Sequence, residues 1–260
     1  MRAGVLAAGA VVAAAAACNN NTDPRWQLRH DRIVAIRLTP AHVAAGQVAV
    51  LDALVTSVDG GLAVQPPVVA AAAGAPASLD GVVTSDASGG WQVMAPDAAA
   101  LDAARTDLGL AAGAAIPLEL STTFAVGGEA LNATKRAWLG DVHDNPVVGP
   151  VTIDGAAPGD AITVPFDTDV ALVIDADPAD HVNWLTSCGS LNSDDNEHAV
   201  LLHVKPGDET SGDLVVVVRD PEDGVAWQRW PIQSAPPSGA TPRSPTASRS
   251  PVASRMLSSR

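Results

Sequence analysis

Period-two alternation recurs along the chain and predicts strands. In Ile33–Leu38 the apolar Val34, Ile36 and Leu38 fall on one side and Arg37 on the other, until Pro40 ends the run. Val48–Ser57 is a second run, closed by Asp59-Gly60-Gly61. Residues 62–93, rich in Ala, Val and Gly, hold strands that the pattern places only loosely. In the clearest alternation Ile116, Leu118, Leu120 and Phe124 interleave with Pro117, Glu119, Ser121 and Thr123, so one face is dry and the other wet. Gly127-Gly128 turns that strand into a partner, Ala130–Leu139. One helix is predicted, from Pro96 to Leu108, with Leu101, Ala104 and Leu108 on a shared face and Gly109 as its stop.

Asp141 to Pro146 breaks all periodicity, and the alternation then resumes. Ile162, Val164 and Phe166 form one set, Val170, Leu172 and Ile174 another, and Val182 pairs with Trp184. Ala199–Val204 follows. Leu214–Val218 is apolar throughout, as expected of a strand buried on both faces. Asp220-Pro221-Glu222-Asp223-Gly224 has the chemistry of a hairpin loop, in which Pro sets φ and Gly supplies a positive φ, and Val225–Ile232 returns. Short strands at spacings of about 8–12 residues mark a β-sandwich. The expected fold class is all-β: two β-sandwiches, residues 30–145 and 146–233, with one short helix in the first.

The ends have a different texture. Met1-Arg2 precedes an uninterrupted run of small apolar residues from Ala3 to Ala17, too short for a bilayer span of about 20 residues but suited to a signal peptide. The run ends Ala15-Ala16-Ala17-Cys18, which resembles the lipobox of bacterial lipoproteins, although position 15 is Ala where that family prefers a larger aliphatic. The resemblance implies cleavage after residue 17 and lipidation of Cys18, palmitate included. The partner is then a membrane, and the address is the cell envelope. Residues 18–29, in which Asn19-Asn20-Asn21 follow the cysteine, read as a tether. Residues 234–260 scatter Pro, Ser and Arg without any periodic apolar set, and read as a tail that cannot bury enough surface to offset its ordering entropy.

Charge narrows the function classes. The formal net charge is −14, and five arginines lie in the signal and the tail, so the body carries about −19. Such a surface repels phosphate backbones, which argues against nucleic-acid binding. With Cys18 lipidated, Cys188 has no intramolecular partner, and the fold cannot depend on a disulfide.

Trp184 on its strand, the buried Leu214–Val218 run, the tight hairpin and a last strand bearing Trp227 resemble a disulfide-free immunoglobulin-like domain, and the first half resembles another. The chain departs from that family in having no tyrosine and no cysteine pair flanking the tryptophan. The resemblance implies a non-enzymatic binding, adhesive or scaffolding role, with an envelope protein or a glycan as partner. The rival reading is a cell-envelope enzyme or its accessory domain, which would need a pocket gathering His181, Cys188 and a carboxylate.

No nucleophile elbow or His-Glu-x-x-His motif occurs, and His198 and His203 are spaced to opposite faces of a strand. Calcium is the better ionic candidate, through Asp175, Asp177 and Asp180; hard cations want several oxygens at about 2.3–2.6 Å. Asp194, Asp195, Glu197, Asp220, Glu222 and Asp223 crowd neighbouring loops. Trp184, Trp138 and Trp227 are expected in the core, and Trp91 and Trp26 as exposed contacts.

Overall fold

The structure, a computed structural model, describes residues 24–59, 61–193 and 195–235. The lipidation expectation at Cys18, the signal peptide and all but the first two residues of the 234–260 tail lie outside the described residues. Among the described residues no helix is long and apolar enough to cross a membrane.

The first half runs β1 (Arg32–Thr39), β2 (His42–Val43), β3 (Val48–Ser57), β4 (Gly61–Gln65), β5 (Val69–Ala73), β6 (Val83–Ser85), β7 (Trp91–Met94), α1 (Ala98–Asp107), β8 (Ile116–Val126) and β9 (Glu129–Leu139). One sheet has the order β1-β3-β7-β6, with β4 also on β3; the facing sheet is β2-β9-β8-β5. The second half runs β10 (Val151–Ile153), β11 (Ile162–Val164), β12 (Asp169–Ile174), β13 (His181–Thr186), β14 (Ser190–Leu191), β15 (Ala199–His203), β16 (Ser211–Arg219) and β17 (Val225–Ser234). Its sheets are β10-β12-β15-β14 and β11-β17-β16-β13.

Apart from β4, an extra strand paired with β3 in the first half, these two topologies are the same. Counting β1, β3, β5, β6, β7, β8 and β9 in the first half and β10, β12, β13, β14, β15, β16 and β17 in the second, each puts its first, second, fifth and fourth strands in one sheet and its third, sixth and seventh in the other. In each, a short continuation of the first strand crosses over to run parallel to the last, as β2 does with β9 and β11 with β17. That is the immunoglobulin strand order. The fold class is all-β, two immunoglobulin-like sandwiches with one short helix in the first.

Each sandwich closes over its own core. Leu38, Leu51 and Val93 of one sheet meet Leu120, Phe124 and Leu139 of the other in the first half. Val170 and Leu172 meet Trp184, Leu214, Val216 and Val218 in the second. Strand β8 alternates buried and wetter positions along its whole length, as its sequence dictates. Helix α1 starts where the Asp97 carboxylate accepts a hydrogen bond from the Ala100 N–H (2.9 Å), and stops where Gly109 takes a φ of 67°.

Several details differ from the pattern-based expectation. Val34 does not share a face with Ile36 and Leu38: the β1–β3 register shifts between Ile33 and Ala35, and this bulge turns Val34 away from the first core. Leu108 is 42% exposed because it is the residue that caps α1, and Arg105 takes the buried place, donating to the Ala114 carbonyl. In the hairpin 220–224 the positive φ belongs to Asp223 (70°). Gly224 is needed for space instead: a Cβ there would overlap the Asp220 carboxylate and lie 2.9 Å from Pro146 Cδ.

A third apolar cluster joins the sandwiches. Leu28, Val34, Ala35, Leu54 and Leu62 from the first meet Leu185, Val215, Val217 and Val225 from the second, with Trp227 against them. Residues 24–29 are therefore built into the junction rather than strung out as tether. The Leu28 N–H donates to the Thr186 carbonyl (3.0 Å), and its own carbonyl accepts from Thr56 Oγ1 (2.5 Å).

Candidate functional site

The β16–β17 loop of the second sandwich docks on strand β9 and on the segment leaving it. Its tip is organised locally: Asp220 Oδ1 accepts from the N–H groups of Glu222 (2.9 Å) and Gly224 (2.7 Å), as a carboxylate does when it replaces a missing turn partner. Around it, the first sandwich supplies donors. Trp138 Nε1 donates to Asp223 Oδ2 (2.9 Å), Lys135 Nζ donates to the Asp223 carbonyl, and Arg136 lies 3.7 Å from the same carboxylate. Burial pushes the Lys135 ammonium below its ordinary value, with Asp223 and Asp220 opposing the shift. His42 Nε2 donates to the Glu222 carbonyl (2.9 Å), which places a proton on that nitrogen.

Asn145 clamps the two halves. Its Nδ2 donates to the Leu38 carbonyl (2.8 Å), and its Oδ1 accepts from the Val225 N–H (2.8 Å). Two residues earlier, His143 Nε2 sits 2.7 Å from Asp220 Oδ2 and 3.4 Å from Glu222 Oε2. The hydrogen bond to Asp220 raises the His143 pKa above the ordinary imidazole value, against the effect of burial.

Beside this contact lies a cavity of about 640 Å³. His143 to Val147 form one wall, the β12–β13 loop a second and Asp220 to Glu222 a third. The immunoglobulin fold explains the convergence, since the loops after the second and sixth strands emerge at the same end of a sandwich. All three predicted calcium ligands, Asp175, Asp177 and Asp180, line it. Asp177 Oδ1 is engaged by the Ala179 N–H (2.9 Å), whereas Asp180 is buried and has the Asp177 backbone as its hydrogen-bond partner. Burial, then the nearby Asp177 and Asp220, hold the Asp180 pKa above the usual carboxylate range. Among the described residues, the ligand atoms that converge within 4.8 Å of one another belong to His143, Asp220 and Glu222. His143 was legible only as part of the aperiodic break, whose density of polar residues was the available signal.

Other candidates scatter. Asp195 pairs with His181 (2.8 Å) and Asn183 (3.2 Å), and Asp194 lies outside the described residues. Cys188 lies past the far end of β13 from His181, fully buried, and desolvation pushes its thiol up to about 11. His181, Cys188 and a carboxylate are not gathered in one pocket. Trp184 is a core residue on the third long strand, as expected. Trp138 and Trp227 serve the junction instead, and the Arg37 guanidinium stacks 3.9 Å above the Trp227 ring. Trp91 and Trp26 are half-buried against the first and second cores rather than free.

Together these features define a tandem immunoglobulin-like protein whose sandwiches are fused side by side. No protein-family model matches the chain, and no curated protein matches it. Solved structures similar to it include murine CEACAM1b, at 12% identity and a TM-score of 0.28, covering 77% of this chain and 100% of that one. A chimeric titin Z1Z2-Z1Z2 tandem is 14% identical with a TM-score of 0.29, covering 79% and 100%. BT4661, a SusE-like surface located polysaccharide binding protein from Bacteroides thetaiotaomicron, is 8% identical with a TM-score of 0.28, covering 78% and 34%. At such scores none of these likenesses bears on function, and the fold class stands on the strand order above.

Proposed function

We propose that the chain is a lipid-anchored extracytoplasmic protein whose fused sandwiches serve a non-enzymatic binding, adhesive or scaffolding role, toward an envelope protein or a glycan. The observation that carries this reading is the junction: an apolar cluster drawn from both sandwiches, bordered by Asn145 and by the Trp138 and Lys135 bonds to Asp223. Each Val or Leu buried there contributes about 1.5–3 kcal/mol. A pair held this way keeps its free loops and sheet edges at a constant spacing, which suits a protein that displays or positions a partner.

Cys18 supplies the anchor in this reading. Only residues 19–23 separate it from the first described residue, and six peptide steps span at most roughly 20 Å. The junction would therefore stand close to the membrane. Labelling cells with radioactive palmitate and fractionating them tests the anchor. Wild type takes the label and sediments with membranes, and Cys18→Ala loses both. Equal labelling of the two, or a mature protein that retains Met1 by intact mass, overturns it.

A further inference from the structure

We infer that the cavity at the junction binds one zinc-type divalent cation, with His143, Asp220 and Glu222 as ligands and Asp180 supplying further negative charge. Three side chains from two distant segments already present one ligand atom each within 4.8 Å of the others. Zinc bonds of about 2.0–2.1 Å at tetrahedral angles set ligand atoms roughly 3.3 Å apart. The His143 to Glu222 separation of 3.4 Å meets that, and the His143 to Asp220 separation of 2.7 Å needs only a small opening.

The ligands are held from behind. Two backbone N–H groups occupy Asp220 Oδ1, which leaves Oδ2 facing His143. His42 fixes the Glu222 backbone through its carbonyl. Supports of this kind orient metal ligands and are part of the site. Glu222 is 61% exposed at its side chain, so an ion and its remaining water have a way in.

Asp180 adds to the negative charge around the site. It is 8% exposed, lines the same cavity, and lies in the field of Asp177 and Asp220. Burying a carboxylate beside two others is costly, and a cation in the cavity provides a counter-charge. The donor set selects the metal. One imidazole with two carboxylates suits zinc, whereas calcium asks for six to eight oxygens. Bound there, the ion would tie the segment leaving the first sandwich to a loop of the second.

Calorimetric titration of the chelator-stripped full chain with zinc chloride tests the site. One zinc per chain is expected, and His143→Ala and Glu222→Gln should each weaken binding by roughly tenfold or more. The control His203→Ala, another histidine paired with carboxylates, should leave binding unchanged. Glu222→Gln keeps the test sound if His143→Ala fails to fold, because among the described residues the Glu222 carboxylate contacts only His143. A cobalt-loaded sample should show no thiolate charge-transfer band, which separates this site from a free cysteine. Absence of saturable heat, unchanged affinity in both ligand variants, an equal loss in His203→Ala, or calcium binding in preference to zinc would each overturn the inference.

Discussion

Strands β8 and β16 hold the same place in their two sandwiches, yet they carry different patterns. In β8 the inward Ile116, Leu118, Leu120 and Phe124 alternate with Glu119, Ser121 and other outward residues, and the outer face is wet. In β16 every residue from Leu214 to Val218 is buried. Leu214, Val216 and Val218 fill the sandwich core while Val215 and Val217 fill the junction. Topology alone therefore does not set the pattern of a strand. What matters is whether its outer face meets water or a neighbour.

The largest expected effect lies on the shared inner face. Trp184→Ala should destabilise the second sandwich by about 3–5 kcal/mol in urea unfolding, because the cavity left by a fully buried indole cannot collapse. Phe124→Ala should do the same to the first, leaving the comparison intact. The outer faces should then separate the two strands. Val217→Asp places a polar group in the apolar junction and should cost about 1–3 kcal/mol or more. Ser121→Asp, on the wet face of β8, should stay within about 0.5 kcal/mol. Equal effects from those two would break the comparison. Asn145→Ala should cost about 1–3 kcal/mol by leaving the Leu38 carbonyl and Val225 N–H without their partner, with limited proteolysis near residue 145 as a second readout.

The smallest effect concerns pH and belongs to the second sandwich. His203 is held above the ordinary imidazole value by hydrogen bonding to Asp169 and then to Asp167. A raised folded pKa means that its contribution is fully present below the unfolded value, near 6.5, and is lost as pH rises through the folded one. Chemical unfolding at several pH values should show a smaller loss in His203→Gln than in wild type, the remainder coming from His143, which is raised in the same sense.

Much of the strand content was legible because alternation is a local record of burial. Val48–Ser57 and the alternating Ile116 to Phe124 run fall where the pattern put them. The bulge at Val34 was not legible, since one inserted residue changes which neighbour a side chain meets without changing its hydrophobicity. The three aspartates of the β12–β13 loop were visible as an acidic cluster. That His143 and the 220–224 loop would join them was not, because those segments are brought together only by the strand order of an immunoglobulin sandwich and by its docking on another.

What the chain dictated alone is where its backbone extends, turns and coils once, because φ preferences and apolar spacing act over a few residues. Which of the outward faces became interior was decided by the docking of two sandwiches. That is why Val215, Trp138 and Asp180 have surroundings that no short window of sequence contains: burial of a second face, and of a carboxylate beside other acids, is a property of the assembled surface.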